Sequence, residues 1–220
     1  MSKISIPQRN SLQSNANRKL PRSRWSKIVL VILSLIAIGS LLLLLLPFIP
    51  KIKYLLFRPK IDATSYQQAA QDTKQGKKTE STSEKLKGNR LVLAPIGVNA
   101  EIIDGNNIYV IGKNQGVWRE TKSLDPTKSG NLVLAGHRFL YTAANGGHFY
   151  NLPELKIGSK IYITWNEKVY EYEVFNTRTV LPTQVDIRNA DPAVPKKLTM
   201  YTCFPLGSTA KRYVVEAKQL

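Results

Sequence analysis

Residues 1–61 contain no Asp or Glu against eleven Lys and Arg. The other 159 residues carry 21 basic and 15 acidic side chains, so most of the net charge of +17 is concentrated at one end of the chain. That local excess suits the anionic headgroups of a lipid surface. No nucleic-acid-binding motif accompanies it, which argues against a nucleic-acid partner. Cysteine is nearly absent as well. Cys203 stands alone, so an intrachain disulfide is excluded and the thiol is free or pairs with another chain. Histidine is limited to His137 and His148, and two histidines with one cysteine fall short of the three or four ligands a zinc site needs. No internal repeat is present.

One long apolar run does stand out. Ile28 to Ile49 is interrupted only by Ser34, Gly39, Ser40 and Pro47, none of them charged. As a helix it would reach about 33 Å, enough for a hydrocarbon core of ~30 Å. It is too long for the apolar region of a cleaved signal, and no small-x-small site follows Pro47-Phe-Ile-Pro50. The reading is an uncleaved signal anchor. Seven Lys and Arg precede it and Lys51, Lys53, Arg58 and Lys60 follow, a bias that puts the N-terminus in the cytoplasm and the long C-terminal part outside. Trp25 and Tyr54 occupy the positions expected of interfacial aromatics.

Around this span the chain divides into four parts. Residues 1–27 form a basic cytoplasmic tail, 28–49 the transmembrane anchor, 50–89 a juxtamembrane segment and polar linker, and 90–220 a folded domain. The linker composition of residues 62–89 predicts a coil reaching on the order of 30 Å, with a short helix around Tyr66–Asp72. From Arg90 onward, short apolar segments alternate with Gly, Asn, Asp and Pro. Predicted strands are Arg90–Ile103, Ile108–Ile111, Gly116–Trp118, Asn131–Gly136, Lys160–Trp165, Lys168–Arg178, Lys197–Cys203 and Arg212–Ala217, with Asn166-Glu167 as a tight hairpin turn. Many strands in about 130 residues with little helical periodicity predict a closed or nearly closed β-barrel.

Strand alternation places the candidate chemistry. In Lys197–Cys203, Leu198 and Met200 share one face, and Thr199, Tyr201 and Cys203 the other. In Arg212–Ala217, the apolar face is Tyr213, Val215 and Ala217. With the apolar faces inward, Cys203 and Arg212 both project outward, where a nucleophile beside a groove would sit. His137 ends the run Leu132-Val-Leu-Ala-Gly136, and Gly136 would let the backbone turn there. His148, in Asn145-Gly-Gly-His148, reads as structural or peripheral.

The segments Leu93-Ala-Pro-Ile-Gly-Val98, Gly130-Asn-Leu-Val-Leu-Ala-Gly-His-Arg138, Phe149-Tyr-Asn-Leu152, Leu198-Thr-Met-Tyr-Thr-Cys203 and Arg212-Tyr-Val-Val215 together resemble the sortases, membrane-anchored cysteine transpeptidases of bacterial surfaces. The likeness runs over nearly all of residues 90–217. It implies an eight-stranded sortase-type β-barrel preceded by one transmembrane helix, with Cys203 as nucleophile, His137 as general acid/base and Arg212 stabilising substrate or oxyanion. The family's Thr-Leu-x-Thr-Cys appears as Thr199-Met-Tyr-Thr-Cys203, a volume-conserving exchange. Ala94 stands where many members carry Lys. Gly116-Val-Trp118 resembles class D or a related branch.

The implied reaction cleaves a Leu-Pro-x-Thr-Gly-like C-terminal sorting signal of a surface protein through a thioacyl intermediate, then transfers the acyl group to an amine of the cell envelope. The implied partners are surface-protein or pilin substrates, that amine acceptor, and the membrane through residues 28–49. With ordinary pKa values about 3% of the thiol is ionised and about a quarter of the imidazole charged at pH 7, so independent titration leaves ~1% in the reactive form. Mutual attraction raises that fraction. No cofactor is implied; some members bind calcium, and Glu101, Asp104, Glu171 and Glu173 are available, though their spacing identifies no site.

Alternatives differ in class. A pilus-polymerising sortase would carry an Asp-Pro-aromatic plug, and residues 62–89 have no Asp-Pro pair. An L,D-transpeptidase would carry a Ser-x-Gly-Cys-like nucleophile, whereas Cys203 follows Tyr201-Thr202. A non-catalytic, membrane-tethered β-barrel binding module would use Cys203 only incidentally. Leu181-Pro-Thr-Gln184 looks like part of a sorting signal but lacks the apolar tail and basic stop that would follow one.

Overall fold

The computed structural model describes residues 24–57, 59–77, 87–112, 116–138 and 149–220. Most of the basic tail, part of the polar linker and His148 lie outside the described residues. The chain separates into two compact units, Met1–Leu46 and Pro47–Leu220.

The first unit is built on helix α1, Arg24–Leu45, which has no buried residue and is long and apolar enough to cross a membrane. It begins four residues before the apolar run. It stops short of Pro47, which has no N–H to continue the helical ladder, and Leu46–Phe48 form a 3-10 turn instead.

In the second unit two helices, α2 (Ile49–Phe57) and α3 (Thr64–Lys74), precede the strands. The predicted interfacial role of Tyr54 is not what its position supports. It is buried, donates its hydroxyl to the Ile96 carbonyl at 3.2 Å and packs with Tyr150 and Leu206. The linker is likewise not a free coil along Thr64–Lys74. Tyr66, Ala69 and Ala70 recur at helical spacing and pack against Val92, Tyr162 and Val169. Thr73 Oγ1 accepts the Val169 N–H at 3.1 Å. The short helix expected at Tyr66–Asp72 is therefore present, longer and docked.

Eight strands follow: β1 Arg90–Leu93, β2 Val98–Asp104, β3 Val117–Arg119, β4 Gly130–Ala135, β5 Lys160–Trp165, β6 Lys168–Val180, β7 Lys196–Phe204 and β8 Lys211–Gln219. They close a barrel in the order β1-β2-β3-β4-β7-β8-β6-β5. Two predicted strands are corrected. Arg90–Ile103 is broken by a 3-10 turn at Ala94–Ile96, where Pro95 cannot donate to a ladder and Gly97 turns the chain at φ 68°. This makes β1 and β2 an antiparallel pair. Ile108–Ile111 is a 3-10 turn, because Asn107 accepts the Tyr109 N–H at 3.0 Å and winds the backbone there. The predicted Asn166-Glu167 turn is present, both residues at positive φ as a two-residue hairpin requires.

The barrel is filled by Leu132, Leu134, Leu198, Met200, Val215 and Ala217 among others, the last four on the faces that alternation assigned. A second cluster covers the outside of the same strands. Val133, Ala135, Tyr201 and Val214 pack with Val180 and Ile187. Strands buried on both faces read as continuous apolar runs, which is why Leu132-Val-Leu-Ala135 does not alternate.

Candidate active site

β4 and β7 run parallel, so both reach the same edge of the barrel with their C-terminal ends. Their register runs from Gly130↔Lys196 to Ala135↔Tyr201. Carried two residues further, the same offset pairs His137 with Cys203. Beyond the ladder the two chains stay joined. The Gly136 N–H donates to the Tyr201 carbonyl at 3.3 Å, and Thr202 Oγ1 donates to the Gly136 carbonyl at 2.7 Å. A Cβ on residue 136 would meet the Phe149 ring at 2.8 Å, so only glycine lets β4 turn off here against that buried ring. The His137 carbonyl accepts the Phe149 N–H at 3.0 Å, which holds the backbone on the far side of the turn.

On the other flank of β7, Cys203 and Arg212 are antiparallel partners of β8. Arg212 Nη1 donates to the carbonyls of Thr209 and Lys211, at 2.9 and 3.0 Å. Cys203 thus stands between His137, just past the end of β4 on one side, and Arg212 on β8 on the other. All three line one groove of about 560 Å³. The thiol is free and partly exposed, as the alternation argument requires. The groove walls are largely apolar, with Ile108, Trp118, Leu181, Pro182 and Ile187 among them. Leu181 and Pro182, from the segment resembling a sorting signal, are thus part of the wall.

In the groove wall Tyr201 is held by Glu120 and Arg188. Its hydroxyl donates to Glu120, whose other oxygen meets Arg188 Nε at 2.9 Å. Burial, and then the Glu120 carboxylate, push the Tyr201 phenol well above the ordinary tyrosine range. Arg178 and Lys197 bracket Glu216 at 3.3 and 3.6 Å on the outer face of the barrel.

Arg138 also lines the groove, and no role for it was read from the sequence. Its Nε donates to the Tyr150 carbonyl at 2.9 Å and its guanidinium lies 5.6 Å from the Phe204 ring centre. Its Nη1 is buried without a hydrogen-bond partner among the described residues. Burial lowers the guanidinium's pKa from its ordinary value, and the ionisable Tyr150 and Cys203 beside it work in the opposite direction. The only sequence signal was its place immediately after His137.

The acidic residues considered for calcium are dispersed. Asp104 grips Arg119 through both oxygens, while Glu171 and Glu173 meet Lys160. Among the described residues no three His, Cys, Asp or Glu side chains are grouped to hold a metal ion.

Comparison with known proteins identifies the barrel's family. The sortase domain model matches residues 91–220, more than half of the chain, and the chain belongs to the sortase family. It is 35% identical over 86 residues to Sortase A of Bacillus anthracis, covering 39% of each chain. It is 28% identical over 144 residues to Sortase A of Staphylococcus aureus, covering 64% of this chain and 68% of that one. Sortase D of Bacillus subtilis matches at 26%, over 56% of this chain and 60% of the relative. The matches span about two fifths and one half of the Sortase A proteins of B. anthracis and Listeria monocytogenes. Among solved structures, sortase C-1 of Actinomyces oris superposes with a TM-score of 0.53 at 25% identity, over 74% of this chain and 85% of that one. The Clostridium perfringens Sortase D5 transpeptidase superposes with a TM-score of 0.52 at 24% identity, over 71% and 99%. Relatives named A and D match at similar identity, so the likeness defines the family rather than a class.

Proposed function

We propose that the protein is a cysteine transpeptidase. In this reading it cleaves a Leu-Pro-x-Thr-Gly-like sorting signal of a surface protein and passes the acyl group to an amine of the cell envelope. The observation that carries the reading is that Cys203, His137 and Arg212 line one groove of a sortase barrel, on β7, just past the end of β4, and on β8. The groove's apolar walls suit an extended peptide whose side chains alternate between wall and solvent.

Cys203 Sγ, as thiolate, attacks the scissile carbonyl carbon. Arg212 donates to the oxygen that gains charge, and its fixed charge and forked donors suit that task. The C–N bond then breaks, and His137 gives its proton to the leaving amine. A thioester on Cys203 remains. The acceptor amine attacks it, His137 takes the proton, and the thiolate is released.

In the same proposal residues 28–49 cross the membrane once, the N-terminus is cytoplasmic and the barrel is outside. The polarity rests on the basic residues ahead of the span.

The test is a cleavage and transfer assay with the full chain, a panel of Leu-Pro-x-Thr-Gly-like peptides, and either a free peptide amine or a lysine side chain as acceptor. Cleavage and transfer should be lost in Cys203→Ala and fall by ~10²-fold or more in His137→Ala and Arg212→Ala. Retention of both activities in Cys203→Ala would reject the proposal. A preference for the lysine acceptor would move it to pilus polymerisation.

A further inference from the structure

Helix α2 has two unlike faces. Tyr54 turns toward the barrel, where its hydroxyl meets the Ile96 carbonyl and its ring meets Tyr150 and Leu206. At ~100° per residue, Ile52 and Leu56 lie about 160° around the helix from Tyr54 and Ile49 about 140°. With Leu55 these residues form an apolar face turned away from the barrel, each of them 51–71% exposed. Lys51 and Lys53 are exposed on the two flanks between that face and the barrel. A large apolar face rimmed by lysines is the pattern of a helix lying in a lipid interface, with its charged heads reaching up to the headgroups. It is not the pattern of a helix facing water.

The occupant follows from connectivity. Only Leu46–Phe48 separate α1 from α2, and three residues span at most about 10 Å. A bilayer crossed by α1 is therefore within reach of α2. We infer that α2 lies along the outer membrane surface, with Ile49, Ile52, Leu55 and Leu56 in the acyl–headgroup boundary and Lys51 and Lys53 on anionic lipid, and that Tyr54 fastens the barrel to it. The inference rests on the reading that the apolar run crosses the membrane, with α1 as the part that spans it. Its consequence concerns the groove. Leu206 is followed by Gly207, Ser208 and Thr209, which line that groove. The Tyr54 contact therefore fixes the height of the site above the bilayer, where a free coil would let it wander.

The experiment uses the full chain with Cys203→Ala, reconstituted in vesicles of phosphatidylcholine and phosphatidylglycerol. Single spin labels are attached at Ile52→Cys and Leu56→Cys, at Ile36→Cys within α1, and at Lys122→Cys on the barrel. Accessibility to oxygen relative to a water-soluble nickel chelate reads the depth of each label. The expected ratios at 52 and 56 are several-fold above that at 122 and below that at 36. They should fall toward the value at 122 when Lys51→Glu and Lys53→Glu are combined. Ratios at 52 and 56 equal to that at 122, with 36 in lipid, would overturn the inference and leave the anchor reading standing. Dipolar broadening between labels at 56, without oxygen access, would overturn it in favour of a second copy on that face. A water-exposed label at 36 would remove the anchor reading, and the inference with it.

Discussion

Thr202 donates its hydroxyl to the carbonyl of Gly136 at 2.7 Å, tying the residue before Cys203 to the residue before His137. Both partners are buried. This bond joins the two chains one step beyond the last β4–β7 strand pair, next to the residues that carry the thiol and the imidazole. Thr202→Val keeps the shape, removes the donor and leaves a buried carbonyl unmatched. The expected cost is about 1–3 kcal/mol in urea unfolding. In the proposed mechanism the resulting displacement reaches Cys203 and His137, so peptide cleavage should drop by ~10-fold or more with little change in KM. A variant that unfolds as expected and cleaves at the parent rate would show that the bond is structural only.

Gly136→Ala tests the other half of the same junction. The added methyl would sit 2.8 Å from a ring atom of Phe149, closer than real contacts allow. Overpacking of this kind costs about 1–3 kcal/mol. Combining Gly136→Ala with Phe149→Leu should recover part of the stability lost in Gly136→Ala alone. The measurement is a double-mutant cycle by chemical denaturation, and strict additivity would mean that the two positions do not meet.

Arg138 yields a different signature. Arg138→Leu removes a guanidinium that burial disfavours, together with its bond to the Tyr150 carbonyl. These effects oppose each other, so stability should change by less than about 1 kcal/mol. The groove loses a cation beside Cys203, and cleavage should fall by ~10-fold or more. Arg138→Lys should recover only part of this, since it restores charge without the planar fork. A large stability loss with unchanged turnover of the folded fraction would assign Arg138 to packing alone.

Tyr201 predicts a pH response. Its folded pKa is raised above the unfolded value of about 10. The neutral phenol therefore contributes stability that is fully present below pH ~10 and is lost as pH rises through the folded pKa. In an ultraviolet titration, the difference between the parent and Tyr201→Phe should show no phenolate appearing near pH 10. A normal titration step in that difference would contradict the buried Glu120–Tyr201 contact.

The barrel and the convergence on its groove were legible in the sequence for a specific reason. Alternation in Lys197–Cys203 and Arg212–Ala217 separates core-facing Leu198, Met200, Val215 and Ala217 from outward-facing Cys203 and Arg212, and this is the arrangement found. The β5–β6 pairing was legible from its Asn166-Glu167 turn, but the parallel pairing of β4 with β7 was not, because the whole β5–β6 hairpin separates them in sequence. The departures were local. Asn107 winds Ile108–Ile111 into a turn that β-branched composition could not reveal, and Pro95 breaks a single predicted strand into two. The polar composition of the linker allowed a short helix at Tyr66–Asp72 but concealed its docking on the barrel, which rests on small or polar anchors such as Ala69, Ala70 and Thr73 beside Tyr66. Arg138 was missed because charge on a loop reads as solvated until a cavity encloses it.

The most direct test of the central claim is the intact mass of the full chain after brief exposure to a Leu-Pro-x-Thr-Gly-like peptide at mildly acidic pH, which slows release of the acyl group. The account predicts a mass increase equal to the N-terminal acyl fragment, mapped to Cys203 and reversed by hydroxylamine, together with release of the C-terminal fragment. It also predicts that the adduct is absent in Cys203→Ala. Peptide cleavage with no such adduct, or an adduct that survives in Cys203→Ala, would contradict it.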